Sequence, residues 1–174
     1  LYPQWQGDDI TANPGSNKQA CAEMDGFSAS NNNKGVREAW EKNYKIIEAA
    51  NNIINNIQVD ETSTYVDAAK VAVGQAHFWR AFAYYYLVRL YGPLPIVEQN
   101  AVLSNGATPP SSIADVYDYI VKEIKAAIDV LPTSYTSEPA HHNGIDAFVT
   151  KQAAQSALTA VYMSMAGYPL NKTV

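Results

Sequence analysis

A lone cysteine, Cys21, excludes an intrachain disulfide. With no second thiol at short spacing it cannot begin a thiolate zinc site, and it says little about redox compartment. Charge is scarce as well: 17% of the 174 residues are charged, and the 12 Lys and Arg, outnumbered by 17 Asp and Glu, form no basic run. A net charge of −5 without a basic patch offers a phosphate backbone nothing to bind, which argues against a nucleic-acid partner. No stretch approaches the ~20 consecutive apolar residues of a membrane-spanning helix. The motifs of catalysis are missing too: there is no G-x-S-x-G elbow, no G-x-x-x-x-G-K-S/T loop, no H-E-x-x-H and no Cys near a His. The expectation is therefore no enzyme, no catalytic residue, no cofactor and no metal. Asp8-Asp9 is no glycosidase pair, because neighbours in extended chain point apart and the reaction needs two carboxylates facing across a bond. His141-His142 lacks the further ligands that would aim both rings at one ion.

What is present is an apolar content of 47%. A chain of this length buries roughly two thirds of its unfolded surface, enough for one sizeable core. Residues 1–37 hold the short polar residues, Asp8-Asp9, Asn13-Pro14-Gly15-Ser16-Asn17, Asp25-Gly26 and Asn31-Asn32-Asn33. Such clusters bond their own backbone or take positive φ, so this segment reads as an irregular lead-in and the first candidate surface. From about 38 to 58, Trp40, Tyr44, Ile47, Ile54 and Ile57 recur at helical steps. Asn51 falls on the same face, and a buried amide must be hydrogen-bonded, so it is expected to tie down neighbouring backbone.

A second helix is expected from about 65 to 91, with Ala69, Val73, Ala76, Trp79, Ala83, Tyr86 and Leu90 on one stripe and Phe78, Phe82 and Tyr85 beside it. Core packing is the reading for all of these rings and for Trp40. Gly92-Pro93 stops the helix, and a proline-rich crossing loop, 94–111, follows. Ser112 with Asp115 reads as a capping box opening a third helix, Ile113 to Leu131, closed by Pro132. A polar loop, 133–146, leads to Thr150 as cap of a fourth helix, with Ala153, Ala154, Ala157, Leu158, Val161, Tyr162 and Met165 inside and Gly167 at its end. The fold class is thus all-α, with tetratricopeptide-like helix-turn-helix pairs, an irregular N-terminal segment and long connecting loops. The division is 1–37, lead-in, and 38–174, helical domain.

The string from Gly74-Gln75-Ala76-His77-Phe78-Trp79-Arg80-Ala81 to Leu87-Val88, Tyr91-Gly92 and Pro95 resembles the signature helix and exit loop of the SusD/RagB family, G-E-A-x-F-x-R-A-x-x-Y-x-x-L-V-x-x-Y-G-x-V-P. Trp40, Tyr44, Ile47, Ala50-Asn51 and Ile54 resemble its preceding helix. Ser112, Val116-Tyr117, Ile120, Ala127 and Leu131-Pro132 resemble the following one, and Thr150-Lys151, Ala153-Ala154, Ala157 and Val161-Tyr162 the next. Gln75 departs from the family's Glu, which turns any ion pair with Arg80 into a neutral hydrogen bond, and the arginine that commonly precedes the Ser of the third helix is absent. Family members are several hundred residues long and begin at a lipidated cysteine. Cys21 lacks the apolar run of a lipoprotein signal before it, so the chain reads as a fragment of a longer protein.

The resemblance implies non-catalytic capture of an oligo- or polysaccharide, starch-like glycans included, at the surface of a Gram-negative cell. It implies delivery to a SusC-like TonB-dependent transporter, and attachment to the outer membrane by a lipid anchor outside this sequence. It also implies an acidic residue early in the lead-in and an aromatic-then-Asn patch late. A sugar offers a C–H face to an exposed ring and hydroxyls to amides and carboxylates. Trp5, Asp8, Asp9, Phe27, Asn31 and Asn32 are the ligand-binding candidates on that basis. The competing reading is that Trp5 and Phe27 cover the helical core while the Asn run is a solvated turn. At the level of the whole molecule, the alternative is a helical scaffold that binds a protein or peptide without a sugar site.

Overall fold

A computed structural model of the chain describes residues 11–12, 18–100, 108–137 and 139–172. Among these the elements run α1 (Gln19–Asp25), α2 (Lys34–Asn56), α3 (Val66–Tyr91), α4 (Ile113–Val130), β1 (His141–His142), β2 (Ile145–Asp146) and α5 (Lys151–Ala166). The chain divides into two compact units, Leu1–Tyr44 and Lys45–Val174.

In the first unit, the segment expected to be irregular holds a helix of its own, α1. Its end is made by chain reversal: Ser28 N–H donates to Glu23 O at 2.8 Å and Gly26 N–H to Ala22 O at 2.9 Å, with Phe27 in the left-handed region at φ 51°. Helix α2 begins at Lys34, earlier than its apolar periodicity indicates, because Asn33 caps it. The Asn33 carbonyl oxygen accepts from Gly35 N–H at 2.9 Å and Val36 N–H at 3.2 Å, satisfying donors that have no partner within the helix. Trp40 and Tyr44 pack ring to ring, centroids 4.7 Å apart, both half-buried.

The second unit is built on α3, which packs against α4, with α4 packing in turn against α5. Gly74 makes the close approach possible: a Cβ there would lie 2.6 Å from Val130 Cγ2 and 3.1 Å from Leu131 Cδ2. The caps fall where the sequence puts them. Ser112 Oγ accepts from Asp115 N–H at 3.1 Å and donates to the Asp115 carboxylate at 2.6 Å, while Thr150 Oγ1 accepts from Ala153 N–H at 3.3 Å. Val116, Tyr117, Ile120, Ile124, Ala127 and Leu131 carry the buried stripe of α4, and Ala154, Val161 and Met165 that of α5. Ala153, expected inside, is exposed. The polar loop 133–146 contains a short hairpin, β1 against β2, turned by Asn143 (φ 50°) and Gly144 (φ 79°). Backbone pairing of Leu94 with Ser111, at 3.2 and 2.7 Å, closes the crossing loop at its base.

Two expectations about α3 need correction. Its core arc holds Ala76, Phe78, Arg80, Ala81, Ala83, Tyr84, Tyr85, Leu87 and Val88, whereas Trp79 (46% exposed), Phe82 (40%) and Leu90 (42%) face solvent. The helix is apolar nearly all round, so periodicity alone does not choose its inner face. The choice is made by Arg80, which is buried because α4 supplies Glu123 and α2 supplies Asn51. Arg80 Nη2 and Nε donate to Glu123 Oε2 at 2.6 and 2.8 Å, and Nη1 donates to Asn51 Oδ1 at 2.8 Å. Gln75 takes no part in this. Its amide donates to Val149 O at 2.7 Å and Tyr135 Oη at 2.8 Å, and its carbonyl accepts from Val149 N–H at 3.2 Å.

Asn51 does tie down backbone. Its Nδ2 donates to Val97 O at 2.9 Å and to Asn100 Oδ1 at 3.2 Å. Asn55 reaches Glu98 O at 3.1 Å, and Asn100 answers with bonds to Glu48 O and Asn52 Oδ1. Tyr84 closes the set by accepting from Val97 N–H at 2.8 Å.

Candidate functional site

The first unit holds a polar cavity of about 390 Å³ lined by Gln19, Ala20, Glu23, Ser30, Asn32, Asn33 and Lys34. Its walls follow from local folding. Helix α1 sets Gln19 and Glu23 one turn apart, so the Gln19 amide donates to Glu23 Oε1 at 3.0 Å. Asn33, 2% exposed, spends its carbonyl on capping α2 and sends its amide to Ala20 O at 3.0 Å and Glu23 Oε2 at 2.7 Å. The Glu23 carboxylate is thus held at both oxygens. In the same lining, Ser30 Oγ accepts from Asn32 N–H at 3.3 Å, keeping its own proton for a further acceptor.

Asn32 is the predicted residue that lines this cavity; Asn31 is exposed but outside the lining, and Phe27 is 73% exposed and outside it too. The structure therefore removes Phe27 from the helical core. A non-glycine residue at positive φ is strained, and a bulky one is a marked exception. The ring is kept there by the bonds that Ser28 N–H and Ser28 Oγ, at 3.3 Å, make to Glu23 O. Glu23 consequently links the two features, its backbone fixing the turn that carries Phe27 and its side chain forming the cavity wall. Trp5, Asp8 and Asp9 lie outside the described residues. Gln19, Glu23, Ser30 and Lys34 escaped the sequence reading. The Gln19–Glu23 spacing of four was the available signal, hidden because the segment reads as loop.

A second, mostly apolar cleft of about 230 Å³ lies in the other unit, lined by Gln75, Trp79, Ala147, Phe148 and Val149. Trp79 meets Phe78 and Phe82 edge-on at 5.4 and 6.0 Å, and Phe148, 42% exposed, meets Tyr135 at 5.9 Å. In the nearby hairpin, His141 Nδ1 lies 2.9 Å from Asp146 Oδ1, while His142 Nε2 lies 3.0 Å from the Asn143 amide. The His141 bond, with a further one from Tyr135 N–H, holds the Asp146 carboxyl below its ordinary range. The two imidazoles thus serve separate partners, and among the described residues no three His, Cys, Asp or Glu side chains gather as a metal site. No helix among them is long and apolar enough to cross a membrane.

Residues 7–163 match the model of a SusD-like family described as starch-binding and associating with the outer membrane. A SusD-like protein of Bacteroides ovatus is 30% identical over 132 residues, 75% of this chain and 22% of that protein. Surface glycan-binding protein A of Bacteroides uniformis superposes with a TM-score of 0.75 at 24% identity, over 92% of this chain and 35% of that one. A crystal structure with xylogluco-oligosaccharide gives 0.71 at 25% identity, over 83% of this chain and 27% of that one. The chain thus spans about a fifth to a third of the length of these relatives. With the family's sequence pattern matched over most of its residues and its helical fold reproduced, this chain belongs to the SusD-like family.

Proposed function

We propose that the chain forms part of a non-catalytic glycan receptor, which captures oligo- or polysaccharide at the cell surface and passes it to a SusC-like TonB-dependent transporter. The protein would be held at the outer membrane by a lipid anchor. The observation that carries the binding role is the solvent-facing Phe27 ring, fixed in a strained turn whose anchoring residue, Glu23, also walls a cavity of amides, a hydroxyl and a carboxylate. An exposed ring stacks on the C–H face of a sugar, and paired polar groups fix its hydroxyls. Trp5, Asp8, Asp9, Asn31 and Asn32 are assigned to the same ligand. The relative bound to xylogluco-oligosaccharide supports this class of ligand.

Isothermal titration against a panel of soluble polysaccharides tests the role, repeated with Trp5→Ala, Phe27→Ala and Asn32→Ala. Binding that weakens at least tenfold in Phe27→Ala and Asn32→Ala places the sugar on this turn; no binding by the intact protein rejects it. Co-purification with the transporter from detergent-extracted outer membranes tests the partner. The second reading, a scaffold for a protein or peptide, draws on the exposed Trp79, Phe82 and Phe148, since clustered apolar surface marks interaction sites. Partner capture that survives Phe27→Ala and is lost in Trp79→Ala favours that reading.

A further inference from the structure

The cavity beside α1 carries information about the charge of its ligand. Lys34 is the one cation in its lining, and its ammonium lies 3.5 Å from Glu38 Oε1. The next cations along α2 are engaged in the same way, Arg37 with Glu41 at 3.7 Å and Lys42 with Glu38 at 3.4 Å. Over the described residues of Leu1–Tyr44, four cations (Lys18, Lys34, Arg37, Lys42) balance four anions (Glu23, Asp25, Glu38, Glu41). The wall itself presents the Glu23 carboxylate, immobilised by Gln19 and Asn33. A carboxylate accepts hydroxyl protons but repels a second carboxylate or a sulfate, and the lining offers no arginine fork to receive either group.

Resting on the glycan-binding reading above, we propose that this site selects uncharged glycans and rejects uronate-rich or sulfated ones. Glu23 is the selecting group: it accepts from sugar hydroxyls through the lone pairs left by Gln19 and Asn33, and its fixed charge excludes anionic rings. Asn32 and Ser30 supply the complementary donors.

The test is calorimetric titration of the full chain with neutral polysaccharides (dextran, xyloglucan, mixed-linkage glucan) and with polygalacturonate and chondroitin sulfate, each at low and at physiological salt. At least one neutral polymer should bind tenfold or more tightly than either acidic one. Neutral binding should be insensitive to salt, whereas any residual acidic binding should strengthen as salt screens the repulsion. Glu23→Gln, checked for retained helicity by circular dichroism, should weaken neutral binding several-fold and narrow the gap to the acidic polymers. Acidic polymers bound as tightly as neutral ones would overturn the selection while leaving glycan binding intact. Neutral binding unchanged by both Glu23→Gln and Asn32→Ala would overturn the assignment to this cavity. Binding of neither class would overturn the glycan-binding reading itself.

Discussion

Three donors converge on one oxygen of Glu123: Arg80 Nη2 and Nε, and His77 Nδ1 at 2.8 Å. An ionised carboxylate only accepts, so His77 carries its proton on Nδ1 in this arrangement. Burial works to raise the Glu123 pKa, but the His77 hydrogen bond and the Arg80 charge outweigh it and hold the group below its ordinary 4.5. A carboxyl depressed in the folded state stabilises the fold above its unfolded value, and that contribution is lost as pH falls through the folded one. The melting temperature should therefore drop below about pH 4.5, more steeply than in Glu123→Gln. At neutral pH that variant leaves Arg80 without its counter-charge and should cost ~3–5 kcal/mol in urea unfolding. The sequence makes Asn51 legible, because an amide on an apolar helix face needs a partner. It hides Glu123, which looks like any solvated acid on α4 until Arg80 is found opposite. Gln75 is hidden for the same reason: its partners, Val149 and Tyr135, are 74 and 60 residues away.

Helices α2 to α5 are legible because their apolar steps, and the side-chain caps of α4 and α5, are local properties of the chain. The exceptions are as physical as the successes. Helix α1 has seven residues, no side-chain cap and no buried residue, so it leaves no periodic trace. The inner face of α3 depends on α4, and nothing within its own sequence ranks Trp79 below Tyr84. Gly74 lies where α3 passes close to the C-terminal end of α4. In Gly74→Ala the new methyl group would collide with Val130 and Leu131, an overpacking worth ~1–3 kcal/mol, against ~1 kcal/mol gained in helix propensity. Urea denaturation should show a net loss of up to about 2 kcal/mol, recovered in part by Gly74→Ala combined with Val130→Ala.

For the molecule as a whole, the family and the all-α architecture are legible in spaced motifs, whereas the cavity is not. Asn32 stands out in the sequence as an amide of the aromatic-then-Asn patch that the resemblance implies, not as part of a cavity. Glu23, Gln19 and Ser30 become neighbours when α1 folds and Asn33 draws Glu23 toward the start of α2. The buried phenols bear on the whole fold in a different way. Burial pushes Tyr84 up to about 12 from an ordinary 10 and raises Tyr119 further still. Groups raised in this way lend full stability below pH ~10, and it drains away as pH climbs through their folded values. Of the 12 tyrosines, the exposed ones will therefore ionise at once after a jump to pH ~11. Tyr84 and Tyr119 will lag, and the near-ultraviolet absorbance of tyrosinate will rise in two phases. The slow phase, reduced in Tyr84→Phe/Tyr119→Phe, amounts to a clock wired into the core, which reports how often the native state opens with no added label.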